Sequence, residues 1–216
     1  MTSSFTSLVL AARFLGLVAQ PARYRSICEQ LSQIASQLIY EHLGTFAEVA
    51  KAPFHRVVFL GSGSRFGAAR ESALKMLEMT AGRVITMSET YLGLRHGPMS
   101  YVHDDTLVVC FLSSDSTSRA YETDLLRELN QKDLGLSKLI VGEAVPRDLA
   151  WDGDVVLEYK GLGGLGDENA PIIDVVVGQL LAFFRCLREG LRPDSPSEAG
   201  VINRVVQTFT LHFPQS

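Results

Sequence analysis

Hydrophobic residues follow two different patterns along this chain. Five short runs are apolar at almost every position and rich in β-branched residues: RVVFLG, RVITMS, TLVVCFL, SKLIVG and DVVLEY. Longer segments between them show the 3.6-residue spacing of amphipathic helices. Strands that are apolar on both faces are typical of a parallel sheet covered by helices on each side. The pattern therefore predicts an α/β three-layer sandwich, with helices on both faces of a five-stranded parallel sheet.

The helical segments divide the chain into three parts. Helices are predicted over 3–18, 24–50, 66–81, 118–132 and 172–187, with a turn or short helix over 93–98 and a glycine-rich loop over 160–171. In the second helix the apolar residues fall near one face: Ile27, Leu31, Ile34, Leu38 and Ile39. We expect residues 1–50 to be helices packed on a core domain of residues 51–190, and residues 191–216 to be a tail that covers the site.

Composition and charge narrow the range of partners. The formal net charge is −4 and lysine or arginine runs are absent, so the sequence lacks the basic surface expected of a nucleic-acid-binding protein. The three cysteines Cys28, Cys110 and Cys186 lie far apart among apolar residues, which favours reduced thiols in a cytoplasmic protein. The apolar N-terminal stretch SLVLAARFLGLVA is too short to span a bilayer. We therefore expect a cytoplasmic protein with no nucleic-acid or membrane partner and no metal site.

A glycine-rich loop follows the first predicted strand and leads into a helix. Its residues are Gly61, Ser62, Gly63 and Ser64. The free N–H groups of a helix N-terminus favour an anionic ligand. The fingerprint of dinucleotide-binding proteins, however, needs a glycine at the position of Phe66. Two interpretations remain open: the loop binds an anion such as a phosphate, or its glycines only permit a tight turn.

The helix after this loop carries a narrow stripe of charged residues. At 100° per residue, Glu71, Lys75 and Glu78 fall within an arc of about 60°. The other side of the helix holds apolar residues, namely Ala73, Leu74, Met76 and Leu77. The stripe is either a solvated face with surface ion pairs, or part of a cleft. In a cleft it would offer a carboxylate base beside an ammonium, which suits proton abstraction next to a carbonyl group.

One histidine stands out from the other four. His96 lies in a loop flanked by glycine and proline just before a strand, a setting more typical of a functional histidine than of a core residue. His103 lies beside Asp104 and Asp105 and is interpreted as a surface turn residue. The sequence suggests no partner for the remaining three, which are His42, His55 and His212.

Three segments together resemble a known family. They are GSGSRFGAARESALKMLE, TMSETYLGLRHGP and DDTLVVCFLSSD, and the pattern E-x-A-L-K-x-x-E followed by R-H-G-P is their most specific element. They resemble the second sugar isomerase (SIS) domain of double-SIS enzymes, which include the isomerase part of glucosamine-6-phosphate synthase. The sequence is most similar to the tagatose-6-phosphate ketose/aldose isomerase family, also described as amino-sugar-6-phosphate deaminating isomerases. The segments RAYETDLLREL and NRVVQ extend the resemblance to nearly the whole chain.

The resemblance implies a flavodoxin-like fold and a role for each matching residue. Glu78 matches the carboxylate that moves a proton between C1 and C2 through an enediol or enolamine, and Lys75 and Glu71 match the residues that orient it and balance its charge. His96 matches the histidine that assists opening of the sugar ring, in relatives often across a subunit interface. Gln207, in the tail over the substrate, stands where glucosamine-6-phosphate synthase has a lysine. No cofactor is implied.

One element of the two-domain relatives is missing from this sequence. Their first SIS domain holds the sugar phosphate with an S-x-S-G-x-[ST] loop, and here SSDSTSRAYET after the third strand is only a loose echo of it. The chain therefore resembles the second, catalytic half of such an enzyme. We expect it to form at least a dimer or to pair with a first SIS domain. The alternative is a noncatalytic SIS module that binds a phosphosugar or another SIS domain; the intact set Glu71, Lys75, Glu78 and His96 favours the enzyme.

Overall fold

The five apolar runs form the parallel sheet that the sequence predicts. The computed structural model describes residues 3–197 and 210–213. Within these residues the strands are β1 (Arg56–Leu60), β2 (Ile85–Glu89), β3 (Thr106–Phe111), β4 (Ser137–Gly142) and β5 (Val155–Glu158). All are parallel, in the order β2-β1-β3-β4-β5. The chain thus leaves β1 and β3 in opposite directions across the sheet.

Helices cover both faces of the sheet, so the predicted three-layer sandwich is confirmed. They are α1 (Ser3–Gly16), α2 (Pro21–Lys51), α3 (Ser64–Met79), α4 (Tyr91–Arg95), α5 (Ser116–Gln131) and α6 (Pro171–Arg188). Short 3-10 turns lie at Pro98–Tyr101, Arg147–Leu149 and Gly163–Leu165. The described helices include none that is long and apolar enough to cross a membrane.

Alternate residues of the strands enter two separate hydrophobic cores. Val57 and Phe59 of β1 point to the core beneath α2, α3 and α6, whereas Val58 and Leu60 point to the core beneath α4 and α5. The three inner strands are buried along almost their whole length. The two edge strands β2 and β5 are partly exposed, contrary to the expectation that every strand is covered on both faces, because an edge strand has a neighbouring strand on one side only.

The N-terminal helices pack on the layer formed by α3 and α6. Four of the five predicted apolar residues of α2 are buried, namely Ile27, Leu31, Ile34 and Leu38. Ile39 is 36% exposed, because it lies about 100° around the helix from Leu38. At the end of α2, the guanidinium of Arg185 donates to the carbonyls of Ala52 (2.8 Å) and Phe54 (2.7 Å). This guanidinium therefore links α6 to the chain segment that enters the sheet.

The helices α3 and α6 approach each other unusually closely. A Cβ atom added at Gly178 of α6 would lie 2.1 Å from Oγ and 2.4 Å from Cβ of Ser72 in α3. Ser72 is fully buried, and its hydroxyl has no hydrogen-bond partner within the described ranges. Only glycine at position 178 permits this contact, which fixes α3 and its charged stripe against the rest of the domain.

Candidate active site

The charged stripe of α3 forms a compact cluster around a buried ammonium group. Lys75 is only 6% exposed, and its Nζ lies 3.5 Å from Oε1 of Glu71 and donates a hydrogen bond to Oε2 of Glu78. The side chains of Glu71 and Glu78 are 18% and 28% exposed. A solvated surface stripe would leave the lysine in water, so the burial of Lys75 favours the second interpretation, in which the stripe belongs to a cleft or an interface.

The apolar side of α3 differs from the expected one. Ala73 and Met76 are buried as predicted, but Leu74 and Leu77 are 44% and 43% exposed. The reason is that α3 packs through Ala69, Ala73 and Met76 on the core, which turns Leu74 and Leu77 outward. The charged cluster therefore lies beside two exposed leucines.

The cluster is suited to proton transfer at carbon. A carboxylate whose oxygen is held by an ammonium group has a fixed orientation, and the same ammonium can stabilise negative charge that develops on a substrate oxygen. Glu78 is the more exposed of the two carboxylates and Glu71 the less exposed. Glu78 is thus the better placed to reach a substrate, whereas Glu71 balances the charge of Lys75.

The glycine-rich loop has structural reasons for its glycines. A Cβ atom at Gly61 would lie 2.6 Å from the carbonyl oxygen of Arg65, and Gly63 has φ +54°, a value that favours glycine. The hydroxyl of Ser64 donates to the carbonyl of Asp167 at 2.6 Å. These contacts support the tight-turn interpretation. Binding of substrate by Gly61, Ser62, Gly63 and Ser64 stays a prediction that they do not support.

The loop and Glu78 lie at opposite ends of α3. Fourteen residues separate Ser64 from Glu78, and a helix rises 1.5 Å per residue, so the two are about 21 Å apart along the helix axis. A single small ligand bound to one chain does not reach both. The structure therefore separates two groups of residues that the sequence alone placed at one site.

His96 lies away from the charged cluster within one chain. It follows α4, which packs on the face of the sheet opposite to α3, and it is exposed. Among the described residues, none forms a hydrogen bond or an ion pair with the side chain of His96. His96 and Glu78 can act on the same substrate only if His96 comes from another copy or domain, as the resemblance to enzymes with a shared site implies. Gln207 lies outside the described residues.

A buried polar network beside the glycine-rich loop was missed by the sequence analysis. Arg65 is 2% exposed, and its Nη1 donates to both carboxylate oxygens of the fully buried Asp174 at 2.9 Å. Arg65 Nε also donates to Asp167 Oδ1 at 3.2 Å. The two aspartates lie more than 100 residues from Arg65 in the chain, so no local sequence pattern indicates this buried ion pair.

Asp167 joins this network to the loop that follows β3. Its Oδ1 accepts from the N–H and the hydroxyl of Ser114 at 3.0 and 2.7 Å, and its Oδ2 accepts from the hydroxyl of Ser113. Burial alone would raise the pKa of Asp167. The hydrogen bonds from Ser113 and Ser114, together with the charge of Arg65, outweigh burial and lower that pKa to about 2. Asp167 is therefore ionised at physiological pH.

Comparison with known proteins agrees with this architecture. Residues 51–137 match the family model of the SIS domain. A D-galactosamine-6-phosphate deaminase of Escherichia coli is 37% identical over 216 residues, which are 98% of this chain and 54% of that protein. The crystal structure of a tagatose-6-phosphate ketose/aldose isomerase from Escherichia coli superposes with a TM-score of 0.69 at 34% identity, over 86% of this chain and 48% of that one.

More distant relatives share the same domain. A glutamine–fructose-6-phosphate aminotransferase of Lactiplantibacillus plantarum is 26% identical over 204 residues, which are 90% of this chain and 31% of that protein. The fold and the family-model match together show a SIS (sugar isomerase) domain within this α/β chain. Over nearly its whole length the chain is similar to relatives named as a D-galactosamine-6-phosphate deaminase and a tagatose-6-phosphate ketose/aldose isomerase, as the sequence motifs indicated. It spans about half the length of the curated relatives that it matches.

Proposed function

We propose that this chain is the catalytic half of a sugar-phosphate isomerase that acts on a hexose 6-phosphate, with release of ammonia when C2 of the sugar carries an amine. The observation that carries the proposal is the Glu78 carboxylate held by a buried Lys75. The proposal is further supported by the sequence similarity of the chain to relatives named as a D-galactosamine-6-phosphate deaminase (37% identical) and a tagatose-6-phosphate ketose/aldose isomerase (34% identical).

In the proposed reaction Glu78 moves one proton between neighbouring carbons. The carboxylate takes the proton from C2 of the open-chain aldose, and the electrons of that C–H bond form the C1–C2 double bond of an enediol. Lys75 stabilises the negative charge on the oxygen at C1. Glu78 then returns the proton to C1. The proton of the C2 hydroxyl passes to the oxygen at C1, so that C2 becomes the ketone and C1 carries the hydroxyl. No electrons are gained or lost overall, so the reaction needs no redox cofactor.

An amine at C2 changes only the last steps. Proton removal from C2 then gives an enolamine, and protonation at C1 gives an imine at C2. Water adds to this imine, the C–N bond breaks, and ammonia leaves with the ketose phosphate as the other product. The same carboxylate thus serves isomerisation and deamination, which is consistent with the names of the two kinds of relative.

The proposal needs a second SIS domain or a second copy of the chain. His96, as the proposed ring-opening residue, lies on the opposite face of the sheet from Glu78, and the matched relatives are about twice as long. Exposed apolar side chains on α1 and α3 suit such a contact; they are Leu8, Leu15, Leu74 and Leu77. We infer that the chain is at least dimeric or pairs with a first SIS domain.

Three further assignments belong to the same proposal. Residues 1–50 serve as the helical part that packs on the SIS core of residues 51–190, and the tail of residues 191–216 brings Gln207 over the substrate. A cytoplasmic location is supported by the free thiols of Cys28, Cys110 and Cys186. The expected ligand is a sugar phosphate, with neither nucleic acid nor membrane as a partner.

One observation favours the alternative of a noncatalytic SIS module. Ser113 and Ser114, in the segment after β3 that is only loosely similar to the phosphate loop of relatives, already donate hydrogen bonds to Asp167. Proton exchange at C1 and C2 of tagatose-6-phosphate, fructose-6-phosphate and galactosamine-6-phosphate, followed by NMR in deuterated buffer with an ammonia assay, separates the two functions. Exchange with any of these substrates supports the isomerase. A folded chain that binds one of the sugars but catalyses no exchange, either alone or mixed with a first SIS domain of a relative, supports the module.

A further inference from the structure

Hydrogen-bond donors converge at the carboxyl edge of the sheet between β1 and β3. The chain leaves these two strands in opposite directions, and in open parallel sheets this is the place where ligands bind. The donors are the hydroxyls of Ser113 and Ser114, the N–H of Ser114 and Nε of Arg65. We call this group the Ser113 cradle. Arg65 and Ser113 are 2% and 1% exposed, whereas Ser114 is exposed, so the cradle has two buried side chains and opens to solvent at Ser114.

One carboxylate occupies the whole Ser113 cradle. Asp167 accepts from all four donors, at 2.7 to 3.2 Å for the three bonds to Oδ1, with the Ser113 hydroxyl on Oδ2. Hydroxyls, a backbone N–H and a guanidinium are the groups that proteins use to bind phosphate and other oxyanions. The carboxylate of the chain thus lies where an external oxyanion would find its hydrogen bonds.

A fully buried acceptor lies directly beneath the cradle. Oε2 of Glu122 accepts from the N–H of Ser113 at 2.7 Å, whereas Oε1 has no partner among the described residues. Burial raises the pKa of Glu122, although the Ser113 N–H and the Ser62 hydroxyl oppose the shift. An unpaired buried acceptor is costly, so the fold leaves one buried oxygen beside the cradle unsatisfied.

Asp167 lies in a segment that is not part of the cradle itself, so its carboxylate can be removed by substitution without changing the donors. It lies in the connection between β5 and α6, which includes the glycines Gly161, Gly163, Gly164 and Gly166. The cradle, in contrast, belongs to the starts of α3 and α5, which are fixed by the sheet. The donors therefore keep their positions when the carboxylate at residue 167 is removed.

We propose that the chain closes its own oxyanion-binding cradle with Asp167, which takes the place of an external oxyanion such as phosphate and excludes it. The phosphate group of any sugar phosphate is then bound outside this crevice, by another domain or copy. The inference concerns oxyanion binding alone and holds whether or not the chain is an isomerase.

The test compares phosphate binding by the wild-type chain and by Asp167→Ala. Inorganic phosphate is titrated at constant ionic strength, with chloride as the balancing ion, while NMR follows the amides of Ser113 and Ser114 and thermal unfolding is measured in parallel. Two nearby carboxylates are already engaged, Asp115 by the N–H of Ser118 and Asp174 by Arg65. We expect saturable binding by Asp167→Ala with a dissociation constant on the order of 1 mM, and none by wild type.

Two further variants keep the test decisive. Glu168→Ala removes a neighbouring carboxylate that pairs with Arg13 and not with the cradle, so it must behave as wild type. Asp167→Asn keeps the shape of the side chain and, should Asp167→Ala fail to fold, must still bind phosphate more tightly than wild type. Phosphate shifts at Ser113 and Ser114 in wild type, equal binding by Glu168→Ala, or no gain in folded residue-167 variants would overturn the proposal.

Discussion

The close crossing of α3 and α6 makes Gly178→Ala a sharp test of how the charged stripe is held. The new Cβ would lie 2.1 Å from Oγ, 2.4 Å from Cβ and 3.0 Å from Cα of Ser72. Carbon atoms in contact are normally about 3.5 to 4.0 Å apart, so the two helices must separate by about 1 Å. Rotation of the Ser72 hydroxyl does not relieve the clash, because its Cβ and Cα are also too close.

The expected loss of stability follows from two opposing effects. Alanine stabilises a helix interior by up to about 1 kcal/mol relative to glycine, whereas overpacking of a core costs about 1 to 3 kcal/mol and more when the backbone shifts. The backbone must shift here, so we expect a net loss of about 2 kcal/mol. Because α3 carries Glu71, Lys75 and Glu78, its displacement also lowers any exchange activity.

Urea unfolding followed by circular dichroism measures this effect, with two controls. Gly67 lies in α3 with open space around its Cβ position, so Gly67→Ala gains up to about 1 kcal/mol. Adding Ser72→Gly to Gly178→Ala removes the two closest atoms and restores part of the loss, with a coupling energy above about 1 kcal/mol. A Gly178→Ala chain as stable as wild type, or a double variant without rescue, would refute the proposed role of this contact.

Three shorter predictions address the charged groups. Lys75→Met leaves Glu71 and Glu78 without their shared cation. We expect it to lower the free energy of unfolding in urea by about 1 to 3 kcal/mol and the rate of proton exchange at least about 100-fold. The control Lys51→Met, at the exposed pair with Glu48, changes neither quantity. The pKa of Asp167 in the folded chain, about 2, lies below its ordinary value of 3.8. Its ionised form therefore contributes about 1 to 2 kcal/mol to the free energy of unfolding above pH 4, and this contribution is lost toward pH 2. Over the same range the difference in stability between wild type and Asp167→Asn must vanish. His96→Asn lowers exchange about 100-fold on a ring-closed sugar phosphate but little on one too short to cyclise; equal losses on both would exclude a ring-opening role.

The sheet could be predicted because its signal is local. Each inner strand is a continuous apolar run between turn residues, and burial on both faces leaves little choice of structure. Ile39, Leu74 and Leu77 were misplaced for the opposite reason: a helix with apolar residues on more than one side does not reveal which side meets the core. The exposure of Leu74 and Leu77 depends on where α3 and α6 cross, and that crossing is set by the Gly178–Ser72 contact.

The surroundings of the candidate site could be predicted only in part, because the positions of Arg65, Asp167 and His96 depend on contacts between segments that are far apart in the chain. The spacing of Glu71, Lys75 and Glu78 along one helix placed them together before the structure was known. Arg65 and Asp167 are 102 residues apart in the chain, and short-range periodicity carries no information on such a pair. The position of His96 on the other face of the sheet follows from strand order, which the apolar runs alone do not specify.

The proposed transfer of the proton between C1 and C2 by Glu78 can be tested with a single pair of variants. Proton exchange is measured by NMR in deuterated buffer for wild type, Glu78→Gln and Glu48→Gln, the last a matched control because Glu48 pairs with Lys51 at the same i,i+3 spacing on an exposed face. We expect exchange by wild type and Glu48→Gln, either alone or mixed with a first SIS domain of a relative, and none by a folded Glu78→Gln that still binds the sugar phosphate. Exchange that persists in Glu78→Gln, or its absence from folded wild type under both conditions, would exclude this role of Glu78.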